Sequence, residues 1–249
     1  MKLIFPVALV AIWEIAALII NNPFVLPTVQ DVLAALLHPL ENVFGMGSLI
    51  SNSLVSVVRV CLGFLIATAI AVPLGIFLGS HPFWEEMSDG LIQIFRPIPP
   101  LAWVPLSLAW FGIGMSSIVF IIVIGCFFPI LVSTIDGVKR VKKSWRETAK
   151  IYQANSRQIM TKILLPAASP AIFNGLRVGF GIAWMSVVAA EMMPGSSQGI
   201  GYLIMQCYNY GQVSYIIAGM LCIGIIGILA DQIFKRIQEK KLGWEVHDK

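Results

Sequence analysis

The sequence predicts an all-α integral membrane protein with six transmembrane helices, and three observations carry that prediction. Of its 249 residues, 57% are hydrophobic and 12% charged, whereas soluble domains carry about 25% charged residues. Long uncharged runs recur along the chain, and a helix needs roughly 20 apolar residues to cross the hydrocarbon core. The basic residues are gathered into a few short connections between those runs. The net charge of +4 is therefore no nucleic-acid signal.

The spans fall in order at about 3–20, 61–79, 90–111, 116–135, 163–192 and 213–234. Ser48–Val60 reads as helical ahead of the second span. The third is broken by Arg96-Pro97-Ile98-Pro99-Pro100, because proline cannot continue a regular helix and pushes the residue before it away from the helical region. Pro166 and Pro170 stand near the start of the fifth. No soluble domain fits between the spans and no internal repeat is visible, so residues 1–249 read as one transmembrane domain. No cleavable signal is expected, since the first apolar stretch runs into Asn21-Asn22-Pro23 without a small-residue cleavage site.

Lys and Arg set the orientation. Residues 136–162 hold Lys139, Arg140, Lys142, Lys143, Arg146, Lys150, Arg157 and Lys162, and the tail holds Lys235, Arg236, Lys240, Lys241 and Lys249. The connections 21–48, 112–115 and 193–212 hold neither residue type. Basic residues stay on the cytoplasmic side during insertion, so both termini and the 136–162 loop are expected inside the cell membrane. On the opposite side, Val29, Val32, Leu33, Leu36, Leu37 and Leu40 recur at helical spacing behind a Thr28/Asp31 cap. That segment is either a helix lying at the interface or a platform for an outer partner.

The basic loop carries two helix starts. Ser144-Trp145-Arg146-Glu147 has the form of a capping box, and Asn155-Ser156-Arg157-Gln158 offers a second start beyond a turn near Gln153–Asn155. Eight basic residues cannot be buried unpaired. The pair of helices is thus either a charged anchor or a lever that enters a partner's groove.

Among the charges in or beside spans, Arg96 and Arg177 fit two roles, the path of an anion or a structural ion pair. Arg59 and Glu14 sit nearer span ends. Arg177 and Glu191 share the fifth helix, 14 residues apart, or roughly 21 Å, so they cannot pair within it. Glu191 is expected to shape the interface or the outer gate and not to bind an anion, since its charge would repel one. The proline-rich break belongs at the path or a gate, with Pro97, Pro99 and Pro100 making the break and Trp103 and Trp110 as wall residues, because freed carbonyls at membrane depth must face protein or water. Gly63, Gly175, Gly179 and Gly181 allow close helix approach.

No catalytic residue or metal site is expected. The histidines, His38, His81 and His247, lie in loops or tail, and the four cysteines have no ligand spacing. There is no G-x-x-x-x-G-K-[ST] run, so the chain cannot hydrolyse ATP by that route. A secondary transporter or channel half-unit is the competing class, and it would not need the capped loop.

Glu147-Thr148-Ala149, then Gln153-Ala154-Asn155 and Ile163-Leu164-Leu165-Pro166 resemble the EAA loop of ABC importer permeases, E-A-A-x-x-x-G followed by I-x-L-P. Gln153 stands where the family has Gly, which predicts a different turn or some strain. Further segments resemble the nitrate/sulfonate/taurine/bicarbonate permease group. They are Phe95–Leu106, Trp110–Gly114, Gly175–Gly179, Ala189–Met192 and Gly199–Tyr202. The resemblance runs from about residue 12 to 236 and is nearest the taurine type in the proline-rich stretch. It implies a type I ABC importer permease fold and import of a small anion by alternating access. It implies a homodimer, two cytoplasmic ATPase subunits holding ATP and Mg, and an outer solute-binding protein. The ATPase contacts would be Ser144, Glu147, Thr148, Ala149, Gln153, Ala154, Leu165 and Pro166.

Overall fold

A computed structural model describes residues 4–242, without the side chains of Arg146, Lys150, Lys241 and Leu242. Leu3, the tail lysine Lys249 and His247 lie outside the described residues. Every regular element among those described is helical: α1 Ile4–Ile20, α2 Val29–Leu37, α3 Leu49–Ser80, α4 Pro82–Phe95, α5 Val104–Phe111, α6 Met115–Lys139, α7 Lys143–Ile151, α8 Ser156–Ile159, α9 Leu165–Glu191, α10 Ile200–Asn209 and α11 Val213–Leu242. Four helical runs are long and apolar enough to cross a membrane: Leu49–Ser80, Met115–Lys139, Ser156–Glu191 and Val213–Lys240. The first and third expected spans appear as the shorter apolar helices Ile4–Ile20 and Pro100–Phe111.

The chain divides into two compact units. One comprises Met1–Val58 and Val188–Gly227. Its core gathers Val32, Ala35, Val43, Leu49, Leu203, Cys207 and Ala218. α1 stops where Asn21 takes a positive φ of 46° and returns its N–H to the Ala17 carbonyl at 2.9 Å, the left-handed ending that Asn tolerates. The expected cap of α2 is present: the Thr28 hydroxyl accepts from Asp31 N–H, and the Asp31 carboxylate accepts from Thr28 N–H, both at 3.2 Å. Glu14 adds to it, accepting from Val29 N–H at 2.7 Å, and Trp13 donates to the Pro27 carbonyl. α2 does not bury the whole stripe its spacing suggested. Val32 and Ala35 face the core, while Leu33, Leu37 and Leu40 stay exposed.

The other unit comprises Arg59–Val187 and Ile228–Lys249. Here α6 runs against α3 and α9 with glycine at the points of closest approach. A Cβ on Gly63, Gly75 or Gly79 of α3 would strike Ile122, Thr134 or Val138 of α6, at 2.6–2.9 Å. A Cβ on Gly175 or Gly179 of α9 would strike Ser133 or Ile130, at 2.5 and 2.7 Å. Small residues let helix backbones approach where lipid offers no hydrophobic drive to do so. Gly181 departs from the expectation, since a Cβ there meets open space. Phe234 of α11 closes the layer edge-on against Phe64 and Phe173 and tilted against Phe180.

Prolines punctuate the unit. Pro82 opens α4, Pro100 opens a 3₁₀ turn over Pro100–Trp103, and Pro105 sits in the first turn of α5, all positions where a missing N–H costs little. Pro170 lies inside α9 and cannot bond the Pro166 carbonyl, which instead accepts from the Ser169 hydroxyl at 2.8 Å. Just before Pro166 the helix widens into a π turn over Met160–Leu164, with Leu165 N–H reaching back to the Met160 carbonyl, an adjustment that accommodates a proline inside a helix. The helical run from Ser156 to Glu191 is therefore continuous.

Two glycines of one helix test this packing. Gly179→Val should destabilise the unit by about 1–3 kcal/mol, the cost of overpacking a close contact, and Gly181→Ala should not. Thermal unfolding midpoints of the detergent-purified variants read the difference; equal midpoints would refute the assignment of close approach to Gly179.

Candidate functional site

The 136–162 loop folds as the two expected helices with one correction. α7 begins at Lys143, so Ser144 lies within its first turn rather than ahead of it. Glu147 faces Lys143 one turn earlier, Nζ to Oε1 at 3.8 Å, with both side chains exposed. The helix starts earlier than the Ser-x-x-Glu pattern indicates, so its carboxylate is free for the lysine pair. The second start is as expected: Asn155 Oδ1 accepts from Gln158 N–H at 2.8 Å and Gln158 Oε1 accepts from Asn155 N–H at 2.9 Å.

Between them Gln153 takes a φ of 58°. Ala154 N–H returns to the Ala149 carbonyl at 3.0 Å, the six-to-one bond of a Schellman ending with its left-handed residue at 153. The turn that glycine would serve is thus kept with glutamine, at a steric cost of about 1–2 kcal/mol. Ala149 is 8% exposed and turned toward the chain itself. With Trp145, Tyr152, Ile163 and Pro166 it lines a groove of about 710 Å³. Thr148 also borders the groove, while the outermost apolar residues are Ile151 and Tyr152, 79% and 81% exposed. Of the L-L-P run, Leu164 is the buried anchor, packed with Val138, Val141 and Ala168, whereas Leu165 is half-buried and Pro166 exposed. Ala154 is half-buried.

The proline-rich break lies between α4 and the 3₁₀ turn. Arg96 ends α4, its N–H on the Ile92 carbonyl at 2.9 Å and its side chain exposed, where a cation complements the helix dipole. Pro97 and Pro99 are exposed, and Pro100 packs on α6, where a Cβ on Gly125 would lie 3.2 Å from its ring. Trp103 is half-buried, 6.1 Å from the Phe95 ring across the break, and its Nε1 is buried with no acceptor among the described residues. Trp110 is exposed and meets Phe120 edge-on at 5.8 Å. Arg177 is held by Asp231 of α11, Nη2 at 2.6 Å and Nε at 2.7 Å, and Lys235 meets the other oxygen at 3.0 Å. That is the ion-pair role of the two open to Arg177.

Glu191 is the most completely enclosed charge among the described residues, 1% exposed. Its Oε2 accepts from the Ser56 hydroxyl at 2.7 Å and from Gly201 N–H at 3.1 Å. Ser56 Oγ in turn accepts from Ile200 N–H at 2.9 Å, and Asn52 Oδ1 accepts from Gly199 N–H at 2.8 Å. The N–H groups of Gly199, Ile200 and Gly201 at the start of α10 are therefore taken by three side chains, with a carboxylate at the positive end of the helix. Gly199 has a φ of 115°, and a Cβ there would fall on the Glu191 carboxylate; one on Gly201 would fall on the Val188 carbonyl. The Gly-Ile-Gly segment is what lets the carboxylate close in. Asn52 and Ser56 were missed by sequence reasoning, although two polar residues four apart at the start of an apolar helix are a legible signal.

Two substitutions follow. Glu191→Ala leaves buried N–H and O–H donors unpaired and should destabilise the protein by about 2–4 kcal/mol, with Glu191→Gln losing less because one acceptor remains; thermal unfolding and amide exchange at 199–201 measure it. Gln153→Gly should slow amide exchange in α7 by relieving about 1 kcal/mol of strain, and unchanged exchange would remove strain from the account of that turn.

Residues 71–242 match the family described as the binding-protein-dependent transport system inner membrane component. A Methanocaldococcus jannaschii protein named as an ABC transporter permease, MJ0413, is 50% identical over 98% of this chain and 91% of its own length. SsuC of Bacillus subtilis, named for aliphatic sulfonate transport, is 33% identical over 97% of this chain and 86% of its own. CmpB of Synechococcus elongatus, a bicarbonate transport system permease, is 34% identical over 91% and 84%. The fold is shared with a chain of the MetNI methionine ABC transporter in inward-facing conformations, at a TM-score of 0.58 and 17% identity over 73% of this chain and 92% of that one. The chain is a multi-pass inner-membrane permease component of an ABC transport system and belongs to the binding-protein-dependent family.

Proposed function

We propose that this chain is the permease half of an importer for small anionic solutes, two copies of it forming one path, with six crossings per copy and both termini in the cytoplasm. The observation that carries the proposal is the α7–α8 pair. It projects exposed apolar residues, Tyr152 and Ile151, and is capped into a helical run that continues to Glu191. An anchor for membrane orientation needs basic residues only, whereas a lever needs a stiff helix and an apolar contact face. Two cytoplasmic ATPase subunits holding ATP and Mg take that face, close on nucleotide and move the run between inward and outward access. An outer binding protein supplies the solute. The one-sided Lys and Arg distribution supports the orientation. The solute class is supported by relatives named for aliphatic sulfonates, nitrate, bicarbonate and taurine. With Arg177 engaged by Asp231, Arg96 at the proline-rich break is the stronger candidate for the anion path, between the walls that Trp103 and Trp110 offer.

Docking should depend on exposed aromatic surface. Tyr152→Asp is expected to lower co-purification of the ATPase at least tenfold while the permease inserts normally. Unchanged co-purification, turnover and uptake would exclude this face as the docking surface. Orientation is read independently on a cysteine-free background. A single cysteine at position 209 should react with an impermeant thiol reagent in sealed cells and one at 143 should not; both sites are exposed on the folded chain. Hydrolysis by the reconstituted complex with its binding protein should rise with one of 2-aminoethanesulfonate, an alkanesulfonate, nitrate or bicarbonate, and a response to none would refute the anion reading.

A further inference from the structure

A polar cavity of about 570 Å³ lies beside the loop ends of α6, α9 and α11, and it belongs to none of the features above. Ser133, Asp136 and Arg140 enter it from α6 and its end, Asn174 from α9 and Gln238 from α11. Among the described residues, none of these five side chains makes a hydrogen bond or ion pair with the chain. The neighbouring cations have carboxylate partners of their own, although Lys139 also feels the charge of Asp136. Lys139 is bound to Glu85 at 2.6 Å, Lys143 faces Glu147, and Arg177 and Lys235 share Asp231. Asp136 and Arg140 are thus a carboxylate and a guanidinium on one helix face, four residues and about 6 Å of helix rise apart, each open to the same space.

We infer that this cavity is a solute site at the loop end of the path and that it selects a small zwitterion, with an ammonium on Asp136 and an oxyanion head on Arg140. The inference rests on the importer reading and refines its solute to one whose oxyanion head is balanced by an ammonium, with no net charge. A guanidinium takes an oxyanion through paired N–H donors, and Ser133, Asn174 and Gln238 supply neutral donors around it. A plain monoanion would gain the same donors but bring its charge beside Asp136. A solute carrying both charges meets a partner at each end and leaves neither chain group facing a like charge. Nitrate and bicarbonate have no ammonium, so the cavity discriminates against them.

The test compares two probes that differ in the ammonium alone, 2-aminoethanesulfonate and ethanesulfonate, binding to the complete permease–ATPase complex in nanodiscs by equilibrium dialysis. The zwitterion should bind at least tenfold more tightly. Asp136→Asn should abolish that preference by weakening the zwitterion and sparing or improving ethanesulfonate, and Arg140→Gln should weaken both. Both side chains are exposed, so the variants are expected to assemble, and ATPase co-purification verifies it. Equal binding of the two probes, or a preference that survives Asp136→Asn, overturns the inference. If the complex still couples hydrolysis to uptake of 2-aminoethanesulfonate, an alkanesulfonate, nitrate or bicarbonate, the cavity assignment alone has failed; if none of these is carried, the importer reading has failed first.

Discussion

Lipid gives apolar helices no reason to prefer one another to acyl chains, so the contacts of α6 have to come from close fit. That constraint governs the second unit. Gly63, Gly75 and Gly79 on one side and Gly175 and Gly179 on the other bring backbones near enough for dispersion to matter. The polar residues on these helices turn inward on their own turns. Thr134 of α6 and Ser80 of α3 donate to carbonyls four residues back at 2.7 Å, which satisfies them where water is absent. With α6 gripped from both sides, the basic loop that follows it starts from a fixed point.

The first unit answers a different need, the ends of short helices. α2 and α10 begin with N–H groups that lipid cannot satisfy. Both are met by carboxylates from elsewhere in the chain, Glu14 at Val29 and Glu191 at Gly201. Glu191, which the sequence offers as a gate residue, is thereby engaged in holding a helix start, and Arg177 is paired with Asp231. The ionisable groups left open are fewer than a reading of the spans suggests, which is what draws attention to Asp136 and Arg140.

Much of the helical order was legible because it depends on local chemistry. Apolar length marked the spans, Thr28-x-x-Asp31 and Asn155-x-x-Gln158 marked two helix starts, and the prolines marked the break after Phe95. What was not legible shares a cause. Ser144 and Glu147 have the form of a cap, but whether a serine lies before or within the first turn depends on where the preceding chain leaves α6. Ala149 turns inward because Ile163 and Pro166 lie across the groove from it, and that facing is a tertiary fact. Asn52 and Ser56 matter only because residues 199–201 arrive more than 140 positions later in the chain.

The π turn at Met160–Leu164 has a consequence for angular register. A regular helix advances about 100° per residue, and a π turn holds one residue more than an α turn in the same rise. The extra residue is thus absorbed within a single turn, and the helix on either side keeps its course while the sequence slips by one position against it. Deleting one residue between 160 and 164 would restore an ordinary α-helix and leave α7 and α8 near their present bearing. Deleting one from the regular part of α9 would instead swing them by about 100° around its axis. The widened turn is therefore the place in this run where a change of length by one residue costs the loop least in direction.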